Sequence, residues 1–125
     1  MHRRLSSGLR KRLLKARAER IKAENSLLKE YVSRIVSRYP SSAVLLFGSR
    51  ARGDHLPYSD YDLAVVLSGL EDKILIIEEL RRLKPRGLPL DLTVVDTEEL
   101  KDPLVKNMFK GAKVLYNKLG VDLET

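Results

Sequence analysis

Residues 45 to 66, LLFGSRARGDHLPYSDYDLAVV, constrain this chain more than any other stretch. An apolar run ends in Gly48-Ser49, a basic loop follows, and a second apolar run opens on Asp60-Tyr61-Asp62. In a strand, residues two apart share a face, so Asp60 and Asp62 project side by side while Tyr61 and Leu63 project to the other. Adjacent carboxylates repel, and at the mouth of a half-buried strand each also loses hydration. The pair is therefore unfavourable unless a cation sits between them or one of them is protonated. An oxygen-only donor set with no His or Cys cluster suits a hard divalent ion such as Mg²⁺ or Mn²⁺.

A third acid stands in a similar setting, because Asp91 interrupts the apolar run LPLDLTVV and would share a face with Thr93 and Val95. If the two strands are neighbours, three carboxylates converge, the kind of set that two-metal phosphoryl-transfer sites use. Gly48 lets backbone approach a phosphate closely, Ser49 offers a hydroxyl and an amide N–H, and Arg50 and Arg52 add fixed positive charge for a polyphosphate. Each piece alone has a plainer explanation. Asp-x-Asp is commonly a turn or cap, Gly-Ser is a common loop dipeptide, and Asp91 could mark a sheet edge. Asp54 after Gly53 reads as a turn residue, and His55 as a solvated side chain. The ordered set is poorly explained by accident.

Around this segment the chain reads as one α/β unit of helix, strand, loop, strand, helix and strand. Apolar residues from Leu9 to Tyr39 recur at three and four residue steps, the mark of an amphipathic helix that Pro40 stops. Its first half carries the narrower apolar stripe and is expected to project from the domain. Residues 42 to 49 and 60 to 67 read as strands, the second apolar on both faces and hence central. A helix over 70 to 84 and a strand over 88 to 96 follow. Two short helical pieces come next, with Asp102 capping before Pro103, and then a short strand near Val114. The expected product is a small mixed sheet with packed helices.

Charge divides the 125 residues into an arm and a body. Residues 1 to 38 hold twelve Lys and Arg against three Glu, and residues 39 to 125 hold twelve against fourteen acids. We therefore expect a basic N-terminal helix over 1 to 38 and a catalytic domain over 39 to 125. The absence of cysteine excludes disulfides, thiolate metal sites and a cysteine nucleophile. No apolar run approaches a membrane span, and the basic start MHRRLSSGLRKR lacks the apolar stretch of a secretory signal, so a cytoplasmic protein is expected.

Gly48-Ser49, the ten residues 50 to 59 and Asp60-Tyr61-Asp62 together resemble the signature of the DNA polymerase beta-like nucleotidyltransferase superfamily. The likeness extends over roughly residues 42 to 116, and FGSRARGD with SDYDLAVV is most similar to the minimal nucleotidyltransferases. The resemblance implies transfer of a nucleoside monophosphate, AMP from ATP in the favoured case, to an acceptor hydroxyl, with Mg²⁺ required and pyrophosphate released. It places Asp60, Asp62 and Asp91 on the metals, gives Asp91 a part in activating the acceptor, and puts Gly48 and Ser49 on the triphosphate. Arg50 and Arg52 as phosphate contacts follow from their charge. Minimal members are commonly paired with a helical HEPN partner as toxin and antitoxin, which implies a protein acceptor. Larger relatives add a domain that holds the acceptor, so a partner or a second copy is expected to complete the site.

Two other functions compete. A non-catalytic antitoxin of the same fold would neutralise its partner by occlusion, and its complex would survive loss of Asp60 and Asp62. A nucleic-acid binder would use Arg10, Lys11, Arg12, Lys15, Arg17, Arg20 and Lys22 of the arm on RNA phosphates. The arm lacks interleaved aromatics for stacking on bases, which favours a solvated helix face or a surface for an acidic protein over nucleic acid.

Overall fold

The computed structural model of the chain describes residues 7–55 and 59–120. A long helix, α1 (Ser7–Arg38), leads into strand β1 (Ala43–Phe47), a short helix α2 (Gly48–Arg52) and strand β2 (Tyr61–Leu67). Helix α3 (Lys73–Arg82) crosses to β3 (Leu90–Asp96), and a 3₁₀ turn (Thr97–Lys101), helix α4 (Pro103–Met108) and β4 (Lys113–Asn117) complete the chain. The strands form one mixed sheet in the order β3-β2-β1-β4. β2 runs parallel to β3 and antiparallel to β1, and β1 runs antiparallel to β4.

The period of two in the strands divides the core into two layers. Val44, Leu46, Tyr61, Leu63, Val65, Leu67 and Val94 face Leu28, Tyr31 and Ile35 of α1 together with Leu80 of α3. Ala43, Leu45, Ala64, Val66 and Val95 face the other way, against Phe109 at the end of α4. The Tyr31 hydroxyl crosses the first layer to donate to the Leu80 carbonyl at 2.6 Å, and burial raises its pKa to about 12. As a strand apolar on both faces requires, β2 is central, with Leu63 to Leu67 buried throughout.

Only the second half of α1 enters the core. Residues 7 to 19 are exposed, and Leu13, Leu14 and Ile21 lie on the surface. α3 starts later than its apolar pattern suggests, because Asp72 caps it by accepting from the Leu75 amide. Asp102 caps α4 ahead of Pro103 through the Leu104 amide, the arrangement read from the sequence. Ser7 is already helical, and the residues before it lie outside those described. Among the described residues no helix is long and apolar enough to cross a membrane.

Candidate active site

Antiparallel pairing of β1 with β2 and parallel pairing of β2 with β3 bring one strand end and two strand starts to the same edge of the sheet. Phe47 lies opposite Asp62, and Asp62 lies opposite Asp91. By strand parity Asp62 and Asp91 emerge on the layer containing Ala64, Val66 and Val95, while Tyr61 and Leu90 face the α1 layer. Asp60 precedes the first residue of β2 and lies on the surface.

Gly48 makes the close approach possible. Its φ of 72° is left-handed, and a Cβ placed on it would lie 2.2 Å from Oδ2 of Asp62. A side chain there is excluded twice, once by the backbone conformation and once by the carboxylate that occupies its space. The turn read at Gly48-Ser49 is therefore the first residues of α2, folded against the Asp62 carboxylate. The helix ends at Gly53, whose amide donates to the Ser49 carbonyl at 2.9 Å.

The electrostatics are those of an incompletely compensated acidic site. Burial pushes the Asp62 carboxyl above its ordinary value, and Asp91, within hydrogen-bonding reach, and Asp60 push it further. Arg52 opposes them weakly from the rim, where it is mostly exposed and pairs with Asp54 at 3.2 Å. Among the described residues no three acidic or His side chains are drawn tightly enough together to form a finished cation cage. What the site holds is repelling negative charge on oxygen donors, the chemistry a hard divalent cation matches. β3 is an edge strand, so Asp91 both marks a sheet edge and faces Asp62.

Arg50 differs from its expected use as a phosphate contact. It is only 8% exposed. Its Nε and Nη2 donate to the Ser59 carbonyl at 3.1 and 2.7 Å, and its guanidinium lies 4.3 Å over the Tyr61 ring. The sequence shows a cation in a loop, and burial beneath α1 turns that cation into part of the scaffold. His55, expected to be solvated, is half-buried, and its Nδ1 has no partner among the described residues. A cavity of about 530 Å³ opens at the opposite end of the sheet, lined in part by Tyr39, Ser68, Gly69 and Asp72, away from the three aspartates.

A four-stranded mixed sheet that opens paired aspartates beside a Gly-Ser turn is the frame of a nucleotidyltransferase. The chain belongs to that family: the model for "Polymerase beta, Nucleotidyltransferase" matches residues 30–119. Two proteins of Methanocaldococcus jannaschii, each named "Putative protein adenylyltransferase", are similar to it. MJ0604 is 30% identical over 100 residues, 74% of this chain and 98% of its own length. MJ1305 is 27% identical over 106 residues, 75% of this chain and 72% of its own. Among solved structures, a "putative nucleotidyltransferase from Sulfolobus solfataricus" superposes with a TM-score of 0.59 and 28% identity, covering 81% of this chain and 89% of that one. The toxin-antitoxin MntA-HpeT structure gives 0.51 at 24% identity, covering 69% of this chain and 68% of that one, a likeness of fold.

Proposed function

We propose that the protein moves AMP from ATP to a hydroxyl of a protein acceptor, releasing pyrophosphate. The observation that carries this reading is the packing of Asp62 against Gly48 and beside Asp91, a costly arrangement of charge that a merely structural edge would not need. Asp60, Asp62 and Asp91 would hold Mg²⁺, which when bound supplies positive charge for the transferring phosphoryl group. Gly48 and Ser49, half-buried at the turn, would take the triphosphate, with Arg52 at the rim. The acceptor oxygen forms a bond to the α-phosphorus, the bond from that phosphorus to the β-bridging oxygen breaks, and pyrophosphate departs. Asp91, exposed at the sheet edge, accepts the proton of the acceptor hydroxyl.

Both similar proteins of M. jannaschii carry the name protein adenylyltransferase, which favours a protein over a nucleic acid as acceptor. A helical HEPN partner, implied by the sequence resemblance, is the first acceptor to test. RNA held by the arm is the second reading, favoured by the exposure of Arg10, Lys11, Arg12, Lys15 and Arg17 on one projecting helix. The experiment is incubation with Mg²⁺ and each α-labelled NTP, offering candidate partner protein and total RNA, beside an Asp60→Ala, Asp62→Ala double variant. Label on protein from ATP alone, lost in the variant, is the expected result. Label on RNA would move the acceptor to the arm. No label on either, with partner binding intact in both proteins, would leave the non-catalytic antitoxin.

A further inference from the structure

We propose that Arg50 is a positioning residue that fixes the Asp60-Tyr61-Asp62 segment from the face of the sheet opposite the carboxylates, with Glu24 and Asn25 of α1 as its outer anchors. The need for such a device lies in the topology. β2 begins at Tyr61, so Asp60 stands outside the ladder, and the described residues between β1 and β2, 48 to 55 and 59, take no part in the sheet. An exposed carboxylate one residue beyond a strand has no intrinsic reason to keep one orientation.

Arg50 restrains both neighbours of Asp60. Its Nε and Nη2 converge on the carbonyl of Ser59, the residue before. Its guanidinium plane covers the ring of Tyr61, the residue after. The cation is held in turn from α1, where Glu24 Oε2 lies 3.4 Å from Nη2, and both side chains are largely buried, at 5% and 15% exposure. Asn25 Oδ1 accepts from the Tyr61 hydroxyl at 3.2 Å, and the Tyr61 amide donates to the Pro89 carbonyl at 2.9 Å, two residues before Asp91.

The alternation of β2 makes this arrangement possible. Tyr61 points to the α1 layer and Asp62 to the other, so the clamp can grip the segment without occupying the space above the carboxylates. The planar fork of arginine donates twice to one oxygen and stacks on a ring at the same time, which the single ammonium of lysine does not do. Arg52, two residues on and exposed, has neither restraint.

The inference rests on the metal-site reading only for its functional readout, so the test separates the two. Arg50→Lys and Glu24→Gln are compared with the wild type and with Asp62→Ala by Mn²⁺ affinity, by amide hydrogen exchange over residues 59 to 62, and by melting temperature. For Arg50→Lys the expected results are a retained fold with a modestly lowered melting temperature and Mn²⁺ binding roughly 10-fold weaker, the scale of losing an outer partner of a metal ligand. Exchange at the segment is expected to be roughly 10-fold faster, the factor for one charge-assisted hydrogen bond. Glu24→Gln, which keeps the side-chain shape, should give a smaller shift of the same sign. Unchanged exchange and unchanged Mn²⁺ affinity in Arg50→Lys would overturn the inference. If exchange rises while Asp62→Ala keeps wild-type Mn²⁺ affinity, the clamp stands and the metal reading falls.

Discussion

The two ends of β3 treat the same residue type in opposite ways. At its start, Asp91 faces Asp62 across the parallel ladder, and burial together with the neighbouring acids raises the Asp62 pKa. At its end, Asp96 accepts from the amides of Glu98 and Leu70 at 2.9 and 2.8 Å, and those bonds hold its pKa below the ordinary value. Glu99 completes a capping box by reaching back to the Asp96 amide at 3.1 Å, and Lys73 donates to it at 2.6 Å, which lowers its pKa as well. One end gives its acids donors and a cation. The other gathers acids and leaves them wanting one, as expected where charge is kept for a ligand rather than for the fold.

The largest test of this contrast is Asp62→Asn. Removing a charge that the fold accommodates poorly should stabilise the protein at neutral pH while lowering label transfer by at least about a hundredfold, the scale of losing one group that supports transition-state charge. Loss of stability on chemical denaturation would mean that Asp62 belongs with the satisfied acids of the far end.

Gly48→Ala comes next. The left-handed backbone alone should cost about 1–2 kcal/mol in unfolding free energy, with a further loss from displacing the Asp62 carboxylate. Transfer should fall more than stability does, because Asp62 must move. A variant as stable and active as the wild type would show that Gly48 and Asp62 are not in contact in solution.

Much of this was legible in the sequence. Apolar residues on both faces of 60 to 67 placed β2 at the centre, Gly48 signalled a special backbone, and Asp102 before Pro103 marked a cap. Arg50 was not legible, because nothing local distinguishes it from Arg52. Its burial arises where α1 passes over it, with Glu24, 26 positions earlier, against its guanidinium. His55, which the sequence suggests is solvated, is half-buried, and neither charge nor period reports that.

At the far end, Asp96→Ala should remove the hydrogen bonds from the Leu70 and Glu98 amides and from the Thr97 hydroxyl, and with them the cap of the 3₁₀ turn. A loss of stability on denaturation is expected, as when an N-cap residue is removed, with label transfer unchanged. Altered transfer would show that the two ends of β3 are coupled, and unchanged stability would show that the cap does not hold the turn.

The smallest expected effect is in pH dependence, where the two ends carry opposite signs. Asp96 and Glu99 have lowered folded pKa values, so their contribution is present above the ordinary values of 3.8 and 4.5 and is lost as pH falls. Asp62 has a raised folded pKa, so the folded state binds that proton more tightly than the unfolded chain. Its contribution is present below 3.8 and is lost as pH rises through the folded value. Asp62→Asn deletes only the second of these. The variant and the wild type should therefore unfold alike at about pH 3 and separate by about pH 7, with the variant the more stable. Saturating Mg²⁺ at neutral pH should close that gap by stabilising the wild type alone, since a ligand that binds only the folded state shifts unfolding by mass action. A gap of equal size at both pH values would place the origin of the difference in packing rather than in charge. A gap that Mg²⁺ leaves open would mean that the acids at the start of β2 and β3 are relieved by something other than a divalent cation.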